Sequence, residues 1–417
     1  MITPDEARAF VLETLTPQTP VELALADAVG CVVADEIRAT EPVPRFTNSS
    51  MDGYALRASD TSAGPTRLRV MGTIFAGDAT GRPLGAGEAM RIMTGAPLPD
   101  GADSVSMIEE VTVESDGRVA LIQRAITEGE FVRHPGEDVA VGQVLVGAGT
   151  ELGAVHVGVL AGQGIATARV HPRPRVGVLS TGDELSGPGT DLTAGQIRDA
   201  NRPMLMALLR RSGFEAVDLG IVGDDQAATS STLRSATTGC DAVISTGGVS
   251  VGDVDFVKTV LGEICDGRAR WMQVAMRPGK PFAFGLAGPR ATPIFGLPGN
   301  PVSTRVSFEM FVRPALRRLA GQRTLLRPML DAVLDCALTR QRDGRLYLVH
   351  VVARFHDDGR LHVWSGARHG SHLLSAVADA NALAMVPDGD GLGIGDGVRV
   401  VLLDGELVDA ADPQAVS

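Results

Sequence analysis

Hydrophobic and polar positions follow three different rhythms along this chain. At the start, Thr3-Pro4-Asp5-Glu6 sets a threonine three residues ahead of a glutamate, and Ala7, Phe10, Val11 and Leu15 then recur at helical spacing. A capping box followed by an apolar stripe predicts an N-terminal helix. From about residue 30 to residue 150 the rhythm shortens to β-type runs such as Leu68 to Val70 and Val105 to Ile108, punctuated by Gly, Pro and Asp. Such a texture predicts small β-rich modules.

Pro172-Arg173-Pro174 ends that stretch, and the third rhythm begins. Val176 to Leu179 predicts a short buried strand, Pro203 to Arg211 a helix, and Val217 to Val222 a strand. Ala227 to Ala236 predicts a helix, Asp241 to Ser245 a strand, and Pro293 to Leu297 a strand leading into a long helix from Pro301 to Leu319. Strand and helix alternating at this spacing form βαβ units, so the expectation is a mostly parallel sheet covered on both faces. Beyond Arg327-Pro328 the runs Tyr347 to Val352, Leu361 to Trp364 and Gly397 to Leu403 predict a small β-barrel or sandwich. There is no internal repeat and no low-complexity tract.

Length and composition narrow the function. At 417 residues the chain exceeds one ordinary core, so roughly two to four domains are expected. A formal net charge of −12 argues against a nucleic-acid or anionic-membrane binder, while local cations can still hold an anionic small molecule. No run reaches the roughly 18 apolar residues of a membrane span, and the first residues carry no signal-peptide pattern. The four cysteines, Cys31, Cys240, Cys265 and Cys336, are scattered and read as reduced core residues of a cytoplasmic protein.

Candidate chemistry concentrates where the predicted strands end, the edge at which open α/β sheets bind ligands. Four loops fall there: Ser180 to Leu185, Gly223 to Asp225, Gly247 to Asp255, and Gly296 to Pro301. Any one of them, taken singly, is better read as a tight strand-to-helix turn with capping acids. Four together suggest phosphates gripped by backbone amides and a cation held by carboxylates. Arg277-Pro278-Gly279-Lys280-Pro281 adds two cations on a rigid turn. The only lysines are Lys258 and Lys280, and a compact ammonium suits a small oxyanion better than a guanidinium fork does.

Asn48 to Ala55, Arg91 to Asp103, Ser180 to Leu185, Gly247 to Asp255, Pro278 to Pro281 and Gly296 to Ser303 occur in one order across nearly the whole chain. Together these segments resemble the signatures of the MoeA/gephyrin E-domain family. The resemblance implies a multidomain α/β subunit: a discontinuous N-terminal domain (1–47 with 137–174) and an inserted β-rich domain (48–136). It further implies a three-layer α/β/α sheet domain (175–326) that binds a pterin nucleotide, and a C-terminal β-barrel (327–417). It also implies a homodimer in which Asp52 and Thr94 reach across the interface toward Glu184, Asp224 and Asp255 of the other subunit.

The reaction implied inserts molybdate into adenylylated molybdopterin, releasing AMP and molybdenum cofactor, with a divalent cation such as Mg²⁺. Catalytic positions would be Asp52, Thr94, Glu184, Asp224, Asp255 and Lys280, with Asp224, Asp255 and Glu184 on the cation. Substrate would be held by Gly247, Gly248, Ser250, Pro281, Pro298, Gly299, Asn300 and Pro301. Arg277, Ser303, His350 and Ser371 would join Lys280 around the molybdate dianion.

The chain departs from the family pattern at Gln273, usually lysine, at Arg277, more often lysine, and at His350, where an arginine tends to follow the Gly344-Arg345 pair. Arg345 or Arg368 would be the compensating cation, and a neutral His350 would make molybdate binding more sensitive to pH. Two other readings compete: a non-catalytic scaffold on the same architecture, and a pterin adenylyltransferase built on the sheet domain alone. The clustered acids count against the first, and the additional modules against the second.

Overall fold

The computed structural model describes residues 1–79, 82–248, 256–365 and 373–403. Of the candidate positions, Ser250, Asp255, Arg368 and Ser371 lie outside the described residues. The chain folds as two compact units, one made of Asp35–Ala148 with Ala154–Ala166, the other of Met1–Ala34, Gly149–Gly153 and the stretch from Thr167 onward.

The first of these units is built on a six-stranded sheet, ordered Ser104–Met107, Gly53–Leu56, Glu88–Ile92, Thr66–Ile74, Val119–Ile122 and Val111–Glu114. Successive side chains of a strand point to opposite faces. Here Tyr54, Leu56 and Ala89 pack with Leu68 and Ile122 in one cluster, whereas Ala55 and Met90 pack with Ile74, Ile92 and Val105 in another. The unit also contains the helix Ala154–Gly162.

In the other unit the helix Pro4–Thr14 starts as the sequence predicts: the Thr3 hydroxyl accepts from the Glu6 amide at 3.1 Å, and Glu6 Oε2 accepts from the Thr3 amide at 2.7 Å. Its buried face, Ala7 and Val11, joins the core beneath the large sheet. That sheet has the order Glu215–Val222, Arg175–Thr181, Ala242–Thr246, Thr292–Leu297, Pro281–Ala287, Arg270–Gln273. The first four strands are parallel, and the last two join antiparallel. Val176, Val178, Ala242, Ile244 and Phe295 face the helix Asn201–Arg211 and the helical run that begins at Pro301. Leu179, Val243 and Ile294 face the helices Gln226–Gly239 and Phe256–Ile264. The sheet domain is therefore the three-layer α/β/α arrangement expected.

Two differences have local causes. The antiparallel strands were not anticipated because Pro281 and Gly285 break the β pattern. Gly285 is required: a Cβ there would lie 2.7 Å from Cys265 Sγ and 3.1 Å from the Ala269 Cα. The long helix is also not uniform. It runs as Pro301–Ser307, a π turn at Phe308–Val312, and Arg313–Leu319, with Pro314 unable to supply the amide an α-helix needs.

The C-terminal strands close on themselves. Leu346–Phe355 pairs with Leu361–Trp364, then Met329–Leu334, Gly397–Leu402 and Ala382–Val386 follow, and the last returns to pair with Leu346–Phe355. This is the expected β-barrel, filled by Leu334, Val351, Ala353, Val363, Ala384 and Val400. Met276–Arg277 adds in parallel to Leu346 and Tyr347, which stitches the Arg277–Lys280 turn to the barrel rim.

Candidate active site

A cavity of about 1280 Å³ opens where the parallel strands end and the barrel begins. One of its walls comes from the sheet. Thr246 and Gly247 follow the strand Ala242–Thr246, and Pro298, Gly299 and Asn300 follow its neighbour Thr292–Leu297. Gly247 has φ +95°, and a Cβ there would stand 2.5 Å from the Thr181 carbonyl oxygen, so only glycine fits. Gly299 faces it across an ordinary contact: the nearest atom to an ideal Cβ on Gly299 is Gly247 Cα, at 3.9 Å. Asn201 locks the two loops together: its Nδ2 donates to Thr246 Oγ1 at 2.8 Å and to the Gly299 carbonyl at 2.6 Å. Thr246 and Thr304 both donate to the Pro298 carbonyl, at 3.2 and 2.6 Å. Ser303, buried, completes this side.

Another part of the lining is cationic. Lys280, Arg277, Arg340 and Arg345 all line the cavity, with Pro281 beside them. Arg277 Nη1 donates to the Tyr347 hydroxyl at 3.0 Å, and its guanidinium lies 5.2 Å from the centre of the same ring. Arg340, whose side chain is fully buried, stacks on that ring at 4.0 Å. The Tyr347 hydroxyl donates in turn to Asp343 Oδ2 at 3.0 Å, and Arg345 Nε donates to the same oxygen at 2.8 Å. The Arg345 pairing, then the Tyr347 hydroxyl, hold the Asp343 carboxyl below its usual range. Arg340 pairs with both Asp343 and Asp388, so two of the four cations are matched by two carboxylates and the lining stays net positive. Arg345, one of the two compensating cations expected, is thus already committed to Asp343.

His350 occupies the same wall. Its Nε2 is buried without a hydrogen-bond partner, and the residue is 6% exposed. Burial, and next the charge of Arg305, push its pKa down to about 3. Arg305 is itself buried and donates to the carbonyls of Val377 and Ala380 at 2.9 and 3.1 Å. His350 therefore stays neutral in the free protein from pH 5 to 8. The expected pH sensitivity does not follow from it, because the barrel desolvates the ring.

The acids separate. Glu184 lines the cavity, and its carboxylate packs where a Cβ on Gly182 would be, 2.3 Å from Oε2. Asp224 does not line the cavity: it follows the outer strand Glu215–Val222, where its amide donates to Asp183 Oδ1 at 3.0 Å. Gly248 and Pro301 likewise are not among the lining residues. Glu184, Asp183 and Asp224 offer oxygen donors only, the chemistry of Mg²⁺, but among the described residues they do not form a compact three-ligand cluster. Mg²⁺ fits such a sparse set, since it retains water and takes one or two carboxylates together with substrate phosphates.

In the other unit, Asp52 and Thr94 are a pair. Asp52 Oδ1 accepts from the Thr94 amide at 2.7 Å and from its hydroxyl at 2.8 Å, and these bonds, the amide first, lower the Asp52 pKa. Sequence reasoning missed Asn201, Thr246, Arg305, Arg340 and Tyr347. Asn201 and Tyr347 gave no periodic or glycine-rich signal, and one arginine among many looks alike until its partners are seen.

Three family models match in succession: the MoeA N-terminal region (domain I and II) over residues 2–164, a probable molybdopterin binding domain over 177–318, and the MoeA C-terminal region (domain IV) over 331–403. The chain is 38% identical to the molybdopterin molybdenumtransferase of Haemophilus influenzae over 387 residues, covering 93% of this chain and 94% of that one. It is 39% identical to molybdopterin molybdenumtransferase 2 of Mycobacterium tuberculosis, covering 92% and 95%. A solved molybdopterin biosynthesis MoeA protein from Pyrococcus horikosii superimposes with a TM-score of 0.81 at 30% identity, covering 97% of this chain and 100% of that one. With matches of this extent over the same segments that build the cavity, the chain belongs to the MoeA family.

Proposed function

We infer that this protein is a molybdopterin molybdenumtransferase: it takes adenylylated molybdopterin and molybdate and yields molybdenum cofactor and AMP. The observation that carries the reading is the cavity with two unlike walls, one of glycine loops and neutral hydrogen-bonding groups, the other of cations. The amides around Gly247 and Gly299 hold the phosphates of the pterin nucleotide, with Asn201 keeping the loops in register. Lys280, Arg277 and Ser303, joined by Ser371, hold molybdate beside the dithiolene. His350 supplies a neutral ring nitrogen whose N–H donates to the oxyanion. Holding both reactants in one cavity converts a bimolecular encounter into a positioned one, which is where most of the acceleration arises.

Glu184 at the cavity and Asp224 on the neighbouring strand end, joined by Asp255, would hold Mg²⁺, which would neutralise the pyrophosphate charge when bound. The working form in this reading is a homodimer, with Asp52 and Thr94 of one protomer completing the cavity of its partner. An already ionised Asp52 on the β-rich unit supports that role. The reading places the protein in the cytoplasm, where its four free cysteines remain reduced. No helix among the described residues is long and apolar enough to cross a membrane.

The test is reconstitution of the full chain with adenylylated molybdopterin, Mg²⁺ and molybdate, following AMP by chromatography. Molybdate-dependent AMP release together with molybdenum cofactor formation is expected. Absence of AMP release under all conditions refutes the assignment. Mixing inactive Asp52→Ala and Lys280→Ala chains should regenerate activity if the site is shared between protomers; no regeneration removes the shared-site part.

A further inference from the structure

At one end of the barrel, outside the cavity, three strand ends bring two imidazoles and a carboxylate together. Asp335 follows the strand Met329–Leu334, and its amide donates to the Val363 carbonyl at 2.9 Å, which fixes it beside the next strand. His362 lies on that strand, Leu361–Trp364. His356 opens the turn that joins Leu346–Phe355 to it, held by its own amide on the Arg360 carbonyl at 3.0 Å and by the Gly359 amide on its carbonyl at 2.9 Å. The two rings stack at 4.1 Å with 10° between their planes.

The polar atoms converge as well. His362 Nδ1 lies 2.7 Å from Asp335 Oδ1, and His356 Nε2 lies 3.8 Å from the other oxygen, Oδ2. One donor atom from each of the three residues falls within 4.8 Å of the others. Zn²⁺ bonds to nitrogen and oxygen are about 2.0–2.1 Å, which in a tetrahedron puts ligand atoms about 3.3 Å apart. The observed 2.7 and 3.8 Å bracket that spacing, and binding requires the stacked rings to turn out of parallel so that their nitrogens converge on one ion.

A second observation points the same way. His362 Nε2 lies 3.2 Å from Asp358 Oδ2, so its far nitrogen is already engaged by a carboxylate. In histidine metal sites that outer hydrogen bond fixes the ring orientation, and here it turns Nδ1, the nitrogen paired with Asp335, toward the cluster.

We propose that Asp335, His356 and His362 form a surface site for a divalent transition metal, represented by Zn²⁺, with solvent as the fourth ligand and Asp358 orienting His362. Imidazole donors select such metals over Mg²⁺, so the site is chemically distinct from the acids at the sheet edge. Binding displaces any proton shared between Asp335 and His362 and ties the Asp335 segment to the hairpin. Asp335 precedes Cys336, whose sulfur accepts from the Ser365 amide at 3.2 Å in the cavity wall.

Calorimetric titration of Zn²⁺ into tag-free, chelator-stripped full-length protein, in excess Mg²⁺, tests this. One Zn²⁺ per chain is expected, with binding weakened about tenfold or more by His356→Ala and by Asp335→Asn. Asp358→Asn should weaken it about 10- to 100-fold, and Cys336→Ser should leave it unchanged. No binding by the wild type, or equal binding by His356→Ala, overturns the proposal and leaves the cluster as an ion-paired histidine clamp. Equal binding by Asp358→Asn removes the orienting role.

Discussion

The glycine loops and the cationic part of the cavity are built in different ways. The sheet wall carries no lysine or arginine of its own in the Gly247 and Gly299 loops. It depends on backbone approach, which glycine permits, and on the buried amide of Asn201 to hold two loops at fixed separation. The cationic side gathers Lys280, Arg277, Arg340 and Arg345, and it keeps the three arginines apart by interleaving Tyr347, Asp343 and Asp388. The contrast teaches that shape and charge are separable in this site. A large, extended substrate is suited to the first wall, and a compact dianion to the second.

The largest effect expected from breaking that division is at Lys280. Lys280→Ala should lower kcat/KM for molybdate about 10²–10³-fold, the usual result of removing one key donor to an oxyanion, with nucleotide affinity retained. Steady-state kinetics with molybdate varied would show this, and an unchanged molybdate dependence would assign the anion elsewhere.

On the sheet wall, Gly247→Ala forces a side chain into a left-handed conformation and against the Thr181 carbonyl. A stability loss of about 1–3 kcal/mol in denaturant unfolding is expected, with nucleotide binding impaired more than molybdate binding. A variant as stable as the wild type would show that the loop relaxes freely.

The smallest effect concerns His350. A ring with a pKa of about 3 when folded and an ordinary value near 6.5 when unfolded binds more protons in the unfolded state between those limits. Its contribution to stability is therefore complete above about pH 6.5 and is lost as pH falls toward 3. Tm measured from pH 7 down to 5 should drop by a few degrees more in the wild type than in His350→Gln. Parallel curves would mean that the ring is hydrated.

Much of this was legible before the coordinates. The capping box, the alternation of strands and helices after Pro174, and the closing β pattern after Pro328 each follow from short-range physics, and the structure has them. What stayed hidden depends on long-range partners. The strand Pro281–Ala287 is a strand because Thr292–Leu297 pairs with it, despite a proline at its start. Arg277, Pro281 and Lys280 could be picked out as a cationic turn, but Arg340 could not, since its role comes from Tyr347 above and two aspartates around it. Asp224 was grouped with Glu184 because both follow strands; the structure sets it one strand outward, beside Asp183. His350 was expected, from residue type alone, to make molybdate binding pH-sensitive, and only its burial reverses that.

The division of labour is tested most directly by titrating molybdate and AMP separately into the wild type, Lys280→Ala and Asn201→Ala, by calorimetry, with folding checked by circular dichroism. Lys280→Ala should lose molybdate and keep AMP, while Asn201→Ala should keep molybdate and weaken AMP about tenfold, the cost of one or two buried hydrogen bonds. If each folded variant loses both ligands together, the walls do not act separately and the account is wrong.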